Sequence, residues 1–501
     1  MKNDPVFWRV VQVALISVSL KVLLFPTSFS TDLHVHRNWK AITYNRPLSH
    51  WYTESTSKWT LDYPPMFAYL EYVLSHVLRP FDPSLTRLVV EDVVTDRSVT
   101  LLRMSVLLAE VSLMYSVYHI LFTLHKHGKL SPSRTHIASV LLLLCPGLTL
   151  VDNIHFQYNA LPISMLLLTL SHLINDQKHF ACITFCVALN LKHTLLPLVP
   201  TVSIYLLATL PRETASAIRT LSSLFVVTVA TLIVPWLPFC VVGGWQYIGS
   251  ICSRLFPFDR GLLHANWAPN FWSLYALVDR ILLRVFPKAS APLITSGRIG
   301  ESAPFAHLPN PTPTVCTALI IMSTTLVLLR LFRDPSVENL LTSTAYNLQA
   351  AFMFGWHVHE KAALLPLYPL LVAAMVNDDL RFPFFLFSLA SQFALFELVR
   401  KPAESMFITA HFLAYHAFVA AELPIRSSSK YAVLVYAVGL VFAEAYCGVV
   451  GIHRMLFADQ LQFLPILFVS VYSSLGVIAS FLALVHRFVH LPLESQESAV
   501  S

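Results

Sequence analysis

Chemistry in this chain would have to come from a few polar segments set in a strongly apolar sequence. These are STDLHVHRNW, with Asp32, His34, His36 and Arg37; WTLDYPPM, with Asp62; and VDNIHFQYN, with Asp152, His155, Gln157 and Asn159. They continue with NLKHT, carrying Lys192 and His193; RLFPFDRGLLHANWAPNFW, carrying Arg254, Asp259, Arg260 and His264; and GWHVHEK, carrying His357, His359, Glu360 and Lys361. The sequence has no Gly-rich phosphate loop and no GxSxG elbow. It has no HExxH and no D-x-D pair to hold the metal of a nucleotide-sugar, which argues against a water-soluble nucleotide donor bound through Mg²⁺. A lone carboxylate flanked by cations suits a different reaction. A phosphate ester embedded in a membrane carries its own leaving group, so the protein need supply only one base for the acceptor hydroxyl and cations for the departing phosphate. With no second carboxylate acting as nucleophile, direct displacement inverts the reacting carbon.

Each segment also has a plainer reading. Asp62 stands before Tyr-Pro-Pro, where an Asp often only makes an Asx turn. Lys192 and Lys361 could be interfacial anchors that snorkel to headgroups, the histidines satisfied loop residues, and HFQYN a polar hairpin tip. Glu110, Glu397, Glu422 and Glu444 lie in or beside apolar blocks, where interior pairing is a commoner role than transport. What these readings leave unexplained is that the polar segments all fall on one side once the chain is threaded through a membrane.

The elements that must position them are membrane-spanning helices. Of 501 residues, 55% are hydrophobic and only 12% charged, and the mean hydropathy is +0.62; a soluble domain carries about 25% charged residues. The apolar residues come in blocks of roughly 15–22, the length that crosses a bilayer as a helix with its own backbone bonds satisfied. About 14 spans are expected, the first an uncleaved one following Lys2 and Arg9. The net charge of +6 is spread over short loops, so it signals topology and gives no nucleic-acid patch. Lys126, Lys129, Arg134, Arg212, Arg219, Arg330, Arg333, Arg426, Lys430 and Arg487 fall on one side, which the positive-inside rule makes cytosolic together with both termini. Two long segments, 28–102 and 241–312, then face the other compartment, rich in Trp, Tyr, His and Pro and suited to short interfacial helices. The reading is one all-α membrane domain over 1–486 with a polar tail at 487–501, and no disulfide framework.

The motifs STDLHVHRNW, LDYPP, HFQYN, HANWAPNFW and HEK, in this order, closely resemble the glucosyltransferases of the asparagine-linked glycan pathway, glycosyltransferase family 57. The resemblance runs from the first span to at least residue 370, and the HRNW and HANWAPNFW strings look like the member that adds the second glucose. It implies a GT-C fold in the endoplasmic reticulum membrane with a lumenal site. It implies dolichyl phosphate glucose as donor, a dolichyl-diphosphate-linked oligosaccharide as acceptor, membrane lipids as surroundings, and no metal. Carried over residue by residue, Asp62 is the expected catalytic base, and His359, Glu360 and Lys361, with Arg260, are expected around the donor phosphate. Asp32, Arg37, His155, Gln157 and Lys192 complete the expected substrate-binding set. Ala160 stands where the family's HFQYN motif leads to an expected Gly, which bears only on the tightness of that loop. The rival readings are transfer to the non-glucosylated high-mannose acceptor, and a membrane transporter. Transporters place their site near the bilayer midplane, often within repeated halves, and no repeat is visible here.

Overall fold

A computed structural model of the chain describes residues 4–91, 94–258, 260–264, 267–288, 304–399, 401–449, 451–458 and 460–490. Its regular secondary structure in these residues is helical, apart from an isolated bridge between Leu263 and Val358. Helix α1 (Pro5–Leu23) starts where the Asp4 carboxylate accepts the Val6 amide at 2.9 Å and Pro5 supplies a preset first turn. Next come α2 (Thr31–Asn45), capped by Ser30, and α3 (Pro65–Leu78), which begins at the Pro-Pro pair that cannot lie deeper in a helix.

Helix α4 (Asp96–Lys126) leads to α5 (Pro132–Leu143), the single turn α6 (Pro146–Leu148) and a π-helical stretch, Thr149–Phe156. Helices α7 (Ala160–Ile174), α8 (Lys178–Leu191), α9 (Val199–Ala208), α10 (Thr214–Ile233), α11 (Leu237–Leu255) and α12 (Phe271–Val285) follow. The second half comprises α13 (Pro313–Arg333), α14 (Val337–Phe354), α15 (Leu364–Val376), α16 (Arg381–Phe393), α17 (Pro402–Glu422), α18 (Ser427–Cys447), α19 (Ile452–Phe457) and α20 (Phe463–His490).

The chain is a multi-pass membrane protein. Seven stretches among the described residues are long and apolar enough to cross a bilayer: Pro5–Leu23, Asp96–Lys126, Pro132–Phe156, Thr214–Ile233, Pro313–Arg333, Ser427–Phe457 and Phe463–Val489. The sequence reading expects about twice as many. The difference lies in helices such as α7 and α8, apolar but only 15 and 14 residues long, and α15 and α16, almost wholly buried in protein. Short or broken helices are tolerated at membrane depth where neighbouring helices cover them. The two long segments carry helices, as expected: α2 and α3 in the first, α12 in the second. Residues 289–303 of the second and 491–501 of the polar tail lie outside the described residues.

Two apolar cores meet at the polar segments. The larger runs through the bundle; the smaller joins α2 and α3 to the start of α4 and to α11, around Trp39, Tyr52, Phe67 and Phe239. At the far end of the bundle the basic loops are gathered by ion pairs: Lys129 with Glu338 at 3.4 Å, Arg134 with Asp378 at 3.3 Å, and Arg426 and Arg487 with Asp379 at 2.7 and 3.2 Å. Such exposed pairs stabilise little individually. Their clustering nevertheless puts most of the positive loops at one end, as the threading from sequence requires.

Within the bundle, Lys21 of α1 pairs with Glu110 of α4 at full burial, and Asn153 donates to the other Glu110 oxygen at 2.9 Å. This interior pairing holds the π-helical stretch against α1 and α4. It matches the structural role that the sequence reading favours for Glu110.

Candidate active site

Asp32 is the hub of the polar cluster. It sits at the start of α2, whose Ser30 cap accepts the Asp32 amide at 3.0 Å and also donates its hydroxyl to the His155 carbonyl at 2.6 Å. The helix entry and the π-helical stretch are thereby fixed to each other. On the Asp32 Oδ2 atom converge Lys361 Nζ at 2.8 Å, Gln157 Nε2 at 2.6 Å and His155 Nε2 at 3.3 Å. Lys361 lies 3.1 Å from the same His155 nitrogen. Beyond Gln157, Asn159 donates to Gln157 Oε1 at 2.9 Å and to Asp152 Oδ1 at 2.8 Å, and it accepts from Lys192 Nζ at 2.6 Å. The Ala160 amide closes the turn onto Asp152 Oδ2 at 2.8 Å, so alanine serves at the position where glycine is expected.

These bonds join four sequence segments, 30–39, 151–159, 190–194 and 355–361, into one network. Burial would raise the pKa of Asp32, but Lys361 and His155 beside it hold the carboxyl well below the usual carboxylate range.

Asp62 is arranged differently. The loop that carries it is pinned through its backbone: Asn38 donates to the Trp59 carbonyl at 2.8 Å, the Trp39 indole to the Thr60 carbonyl at 3.0 Å, and the Tyr52 hydroxyl to the Tyr63 carbonyl at 2.6 Å. The Asp62 side chain is left a third exposed, and its ion-pair partner is Arg260 at 3.9 Å. Burial of the carboxyl lifts its pKa to about 6 against the pull of Arg260, with Asp32 adding to the rise and Arg254 opposing it. A carboxylate so poised is mostly ionised at neutrality yet more basic than an ordinary one, and it has lone pairs to spare, the condition of a general base.

A third group connects the two loops that supply cations. His357 donates its backbone amide to the Leu262 carbonyl at 3.0 Å and its ring Nδ1 to the Gly261 carbonyl at 2.6 Å, while the Trp356 indole reaches the Arg260 carbonyl at 2.9 Å. These anchors sustain a left-handed φ of +53° at His357, uncommon for a residue other than glycine. They place the His264 ring against that of His359, with centroids 3.8 Å apart, and put His264 Nδ1 3.6 Å from Glu360 Oε2. Burial, with His264, Lys361 and His357 nearby, holds His359 well below its ordinary pKa despite the opposing Glu360 carboxylate, so its ring is neutral at pH 7. Burial would raise the Glu360 pKa, but His264 and Lys361 hold it at about 2. Ligand atoms of His264, His359 and Glu360 all lie within 4.8 Å of one another, close enough to share one cation.

Of the residues singled out in the sequence, the network joins Asp32, His155, Gln157, Lys192 and Lys361, with Glu360 and His359 on the same turn as Lys361 and Arg260 opposite Asp62. Arg37 is placed apart. It lies about 140° around α2 from Asp32, is buried, and donates to the Arg87 carbonyl at 2.7 Å. Its bond ties α2 to the segment after α3. Asp259 lies outside the described residues.

Two contributors were named in the motifs but not assigned a role there. Asn159 bridges Lys192 to Gln157, and Arg254, at the end of α11, acts on Asp62. A third feature lies beneath the site. Lys40 and His36, one helical turn apart on α2, reach the fully buried Glu71 of α3 at 2.5 and 2.6 Å, and Lys40 approaches the Tyr158 hydroxyl at 3.4 Å. The i, i+4 spacing of His36 and Lys40 is its only sequence signal.

Residues 17–484 match the ALG6, ALG8 glycosyltransferase family. Among named relatives, the chain is 37% identical over 490 residues to the Drosophila melanogaster protein described as a probable dolichyl pyrophosphate Glc1Man9GlcNAc2 alpha-1,3-glucosyltransferase, covering 95% of this chain and 93% of the relative. It is 34% identical over 507 residues to the Neurospora crassa protein named dolichyl pyrophosphate Glc1Man9GlcNAc2 alpha-1,3-glucosyltransferase, covering 95% and 98%. The mouse protein of the same name is 33% identical over 486 residues, covering 91% of each.

Proposed function

The chain belongs to the ALG6, ALG8 glycosyltransferase family, and from that membership we propose that it adds an α-1,3-linked glucose to the terminal glucose of a dolichyl-diphosphate-linked Glc1Man9GlcNAc2 oligosaccharide. The donor in this reading is dolichyl phosphate glucose. Full-length relatives named for this acceptor and linkage support it, and so does an unsaturated carboxylate beside a cation-bearing network. The observation that carries the mechanism is Asp62, whose carboxyl has its pKa raised to about 6 and whose side chain is left a third exposed.

Asp62 accepts the proton of the acceptor 3-hydroxyl, and that oxygen attacks the anomeric carbon of the β-linked donor. The bond from that carbon to the phosphate oxygen breaks with inversion, and dolichyl phosphate departs. Lys361 and Lys192 supply positive charge where the phosphate leaves, and His359 and Arg260 offer further donors. The network around Asp32 fixes Lys361 before substrate arrives, so the charge needs no reorganisation during the reaction. Transfer on this scheme needs no metal, and the trio His264, His359 and Glu360 acts as a positioning cluster. The same reading assigns the helical bundle to the GT-C class, places it in the endoplasmic reticulum membrane, and turns the polar cluster toward the lumen, opposite the basic end.

Purified protein in lipid nanodiscs, given dolichyl phosphate glucose with Man9GlcNAc2 or Glc1Man9GlcNAc2 lipid acceptor in excess chelator, tests the proposal. Extension of the glucosylated acceptor alone is expected. Extension of only the mannose-terminated acceptor would move the chain to the preceding step, and loss of turnover on chelation would put a metal into the scheme.

A further inference from the structure

The Glu360 side chain is only 4% exposed, yet its Oε2 atom makes no hydrogen bond among the described residues. His264 Nδ1 faces that oxygen from 3.6 Å, beyond hydrogen-bond range. A buried carboxylate oxygen in this state is costly unless a cation or donor completes it. The neighbouring Lys361 does not, because its Nζ is committed to Asp32 at 2.8 Å. The 3₁₀ turn Ala394–Leu398 packs against the turn Glu360–Ala363 and brings a second carboxylate, Glu397, whose Oε1 is likewise buried and without a hydrogen bond. This corner of the molecule therefore favours positive charge.

The groups around it have the chemistry and the spacing to hold a metal ion. Ligand atoms of His264, His359 and Glu360 lie within 4.8 Å of one another. Zinc bonded to nitrogen and oxygen at 2.0–2.2 Å in a tetrahedron sets its ligand atoms about 3.4 Å apart. The His264–Glu360 pair at 3.6 Å already has that spacing, and a ring rotation brings in His359. The two segments are also fixed to each other without any ion, by the bonds of His357 to Leu262 and Gly261 and of Trp356 to Arg260. Ligands held in place beforehand lower the ordering cost of binding. Two imidazoles with one carboxylate suit zinc and its transition-metal neighbours, whereas Mg²⁺ and Ca²⁺ demand six or more oxygens. His264 is partly exposed, which gives the ion a way in.

We propose that His264, His359 and Glu360 form a binding site for a divalent cation of the zinc type, with its fourth position open to solvent. The site stands apart from the transfer scheme, which uses no metal. An ion there engages the His359 ring and withdraws it from the departing phosphate, so occupancy slows transfer. Only that effect on turnover rests on the donor reading above.

The test is equilibrium dialysis of zinc against chelator-treated full chain in nanodiscs, with Mg²⁺ in large excess and bound metal read by elemental analysis. One zinc per chain is expected, with its Kd raised at least about tenfold in His264→Ala and in Glu360→Gln. The chain has 21 histidines, so an adventitious ion held elsewhere would bind the wild type and both variants alike. That result, or displacement of zinc by Mg²⁺, overturns the site.

A second measurement needs no variant and stands even if the substitutions prevent folding. X-ray absorption of the zinc-loaded wild type should show two imidazoles and at least one carboxylate oxygen around the metal, and a shell without two imidazoles overturns the assignment. Zinc added to the transfer assay should lower turnover. Zinc bound at the trio with turnover unchanged would remove His359 from the proposed reaction and leave the site intact, so the two failures are told apart.

Discussion

The two loop carboxylates of the candidate site live in opposite environments. Asp32 is held, with a lysine, a glutamine amide and a histidine around one oxygen. Asp62 has its loop fixed through backbone carbonyls while its side chain is left a third exposed beside an arginine at 3.9 Å. Lys361 and His155 depress the pKa of Asp32, whereas burial raises that of Asp62 against the pull of Arg260. A carboxylate that gathers a lysine, an amide and an imidazole on one oxygen is a structural anchor for cations. One with a rigid backbone and an open carboxyl can take a proton. The contrast separates the charge-holding half of the site from its reactive half, and each half makes its own predictions.

The largest effect falls on the reactive half. Asp62→Asn should lower kcat by about 10²–10⁴, the usual contribution of a positioned base, with donor binding retained. Asp32→Asn, which loosens Lys361 without removing the base, should show its greater change in the donor KM. If both variants lose only kcat, the division of labour is wrong.

Next in size, Lys361→Met leaves the partly buried Asp32 carboxylate without its cation. It should weaken donor binding and destabilise the fold by about 1–3 kcal/mol, the cost of stranding a buried acceptor, read as a lowered thermal midpoint. Arg260→Gln removes the nearest positive charge from Asp62, so the base becomes harder to ionise. The acidic limb of the rate profile should move up by as much as about one pH unit, and a downward shift would show that Arg260 does not act through Asp62. The smallest expected effect on turnover is that of Arg37→Gln. Both KM values should stay put, while the lost bond to the Arg87 carbonyl lowers stability by about 1 kcal/mol.

The site was readable in the sequence to the extent that polar residues are conspicuous in an apolar chain. Asp32, His155, Gln157, Lys192 and Lys361 are drawn from four segments and meet in one network, because a bundle must bring its polar loops to one of two ends. What the sequence conceals is direction around a helix. Arg37 belongs to the same motif as Asp32 but leaves α2 on another side. Lys40 is unremarkable in the sequence until Glu71 of α3 is seen opposite it at 2.5 Å.

Helix length is concealed for a related reason. Hydropathy registers apolar blocks such as 362–376 as crossings, whereas the structure sinks α15 almost entirely into protein, where length no longer has to match a bilayer. The π-helical stretch Thr149–Phe156 also escapes periodicity, since its eight residues are fixed by distant bonds such as Asn153 to Glu110.

The pH dependence of kcat/KM, followed in wild-type protein and in the residual activity of Asp62→Asn, tests most directly which carboxylate takes the proton. A free-enzyme base with its pKa raised to about 6 must lose its proton before reaction, so wild-type kcat/KM should climb as pH rises through about 6 and level off above. In Asp62→Asn that limb should vanish. An acidic limb near 6 that survives in Asp62→Asn would contradict the account and assign the proton to another group.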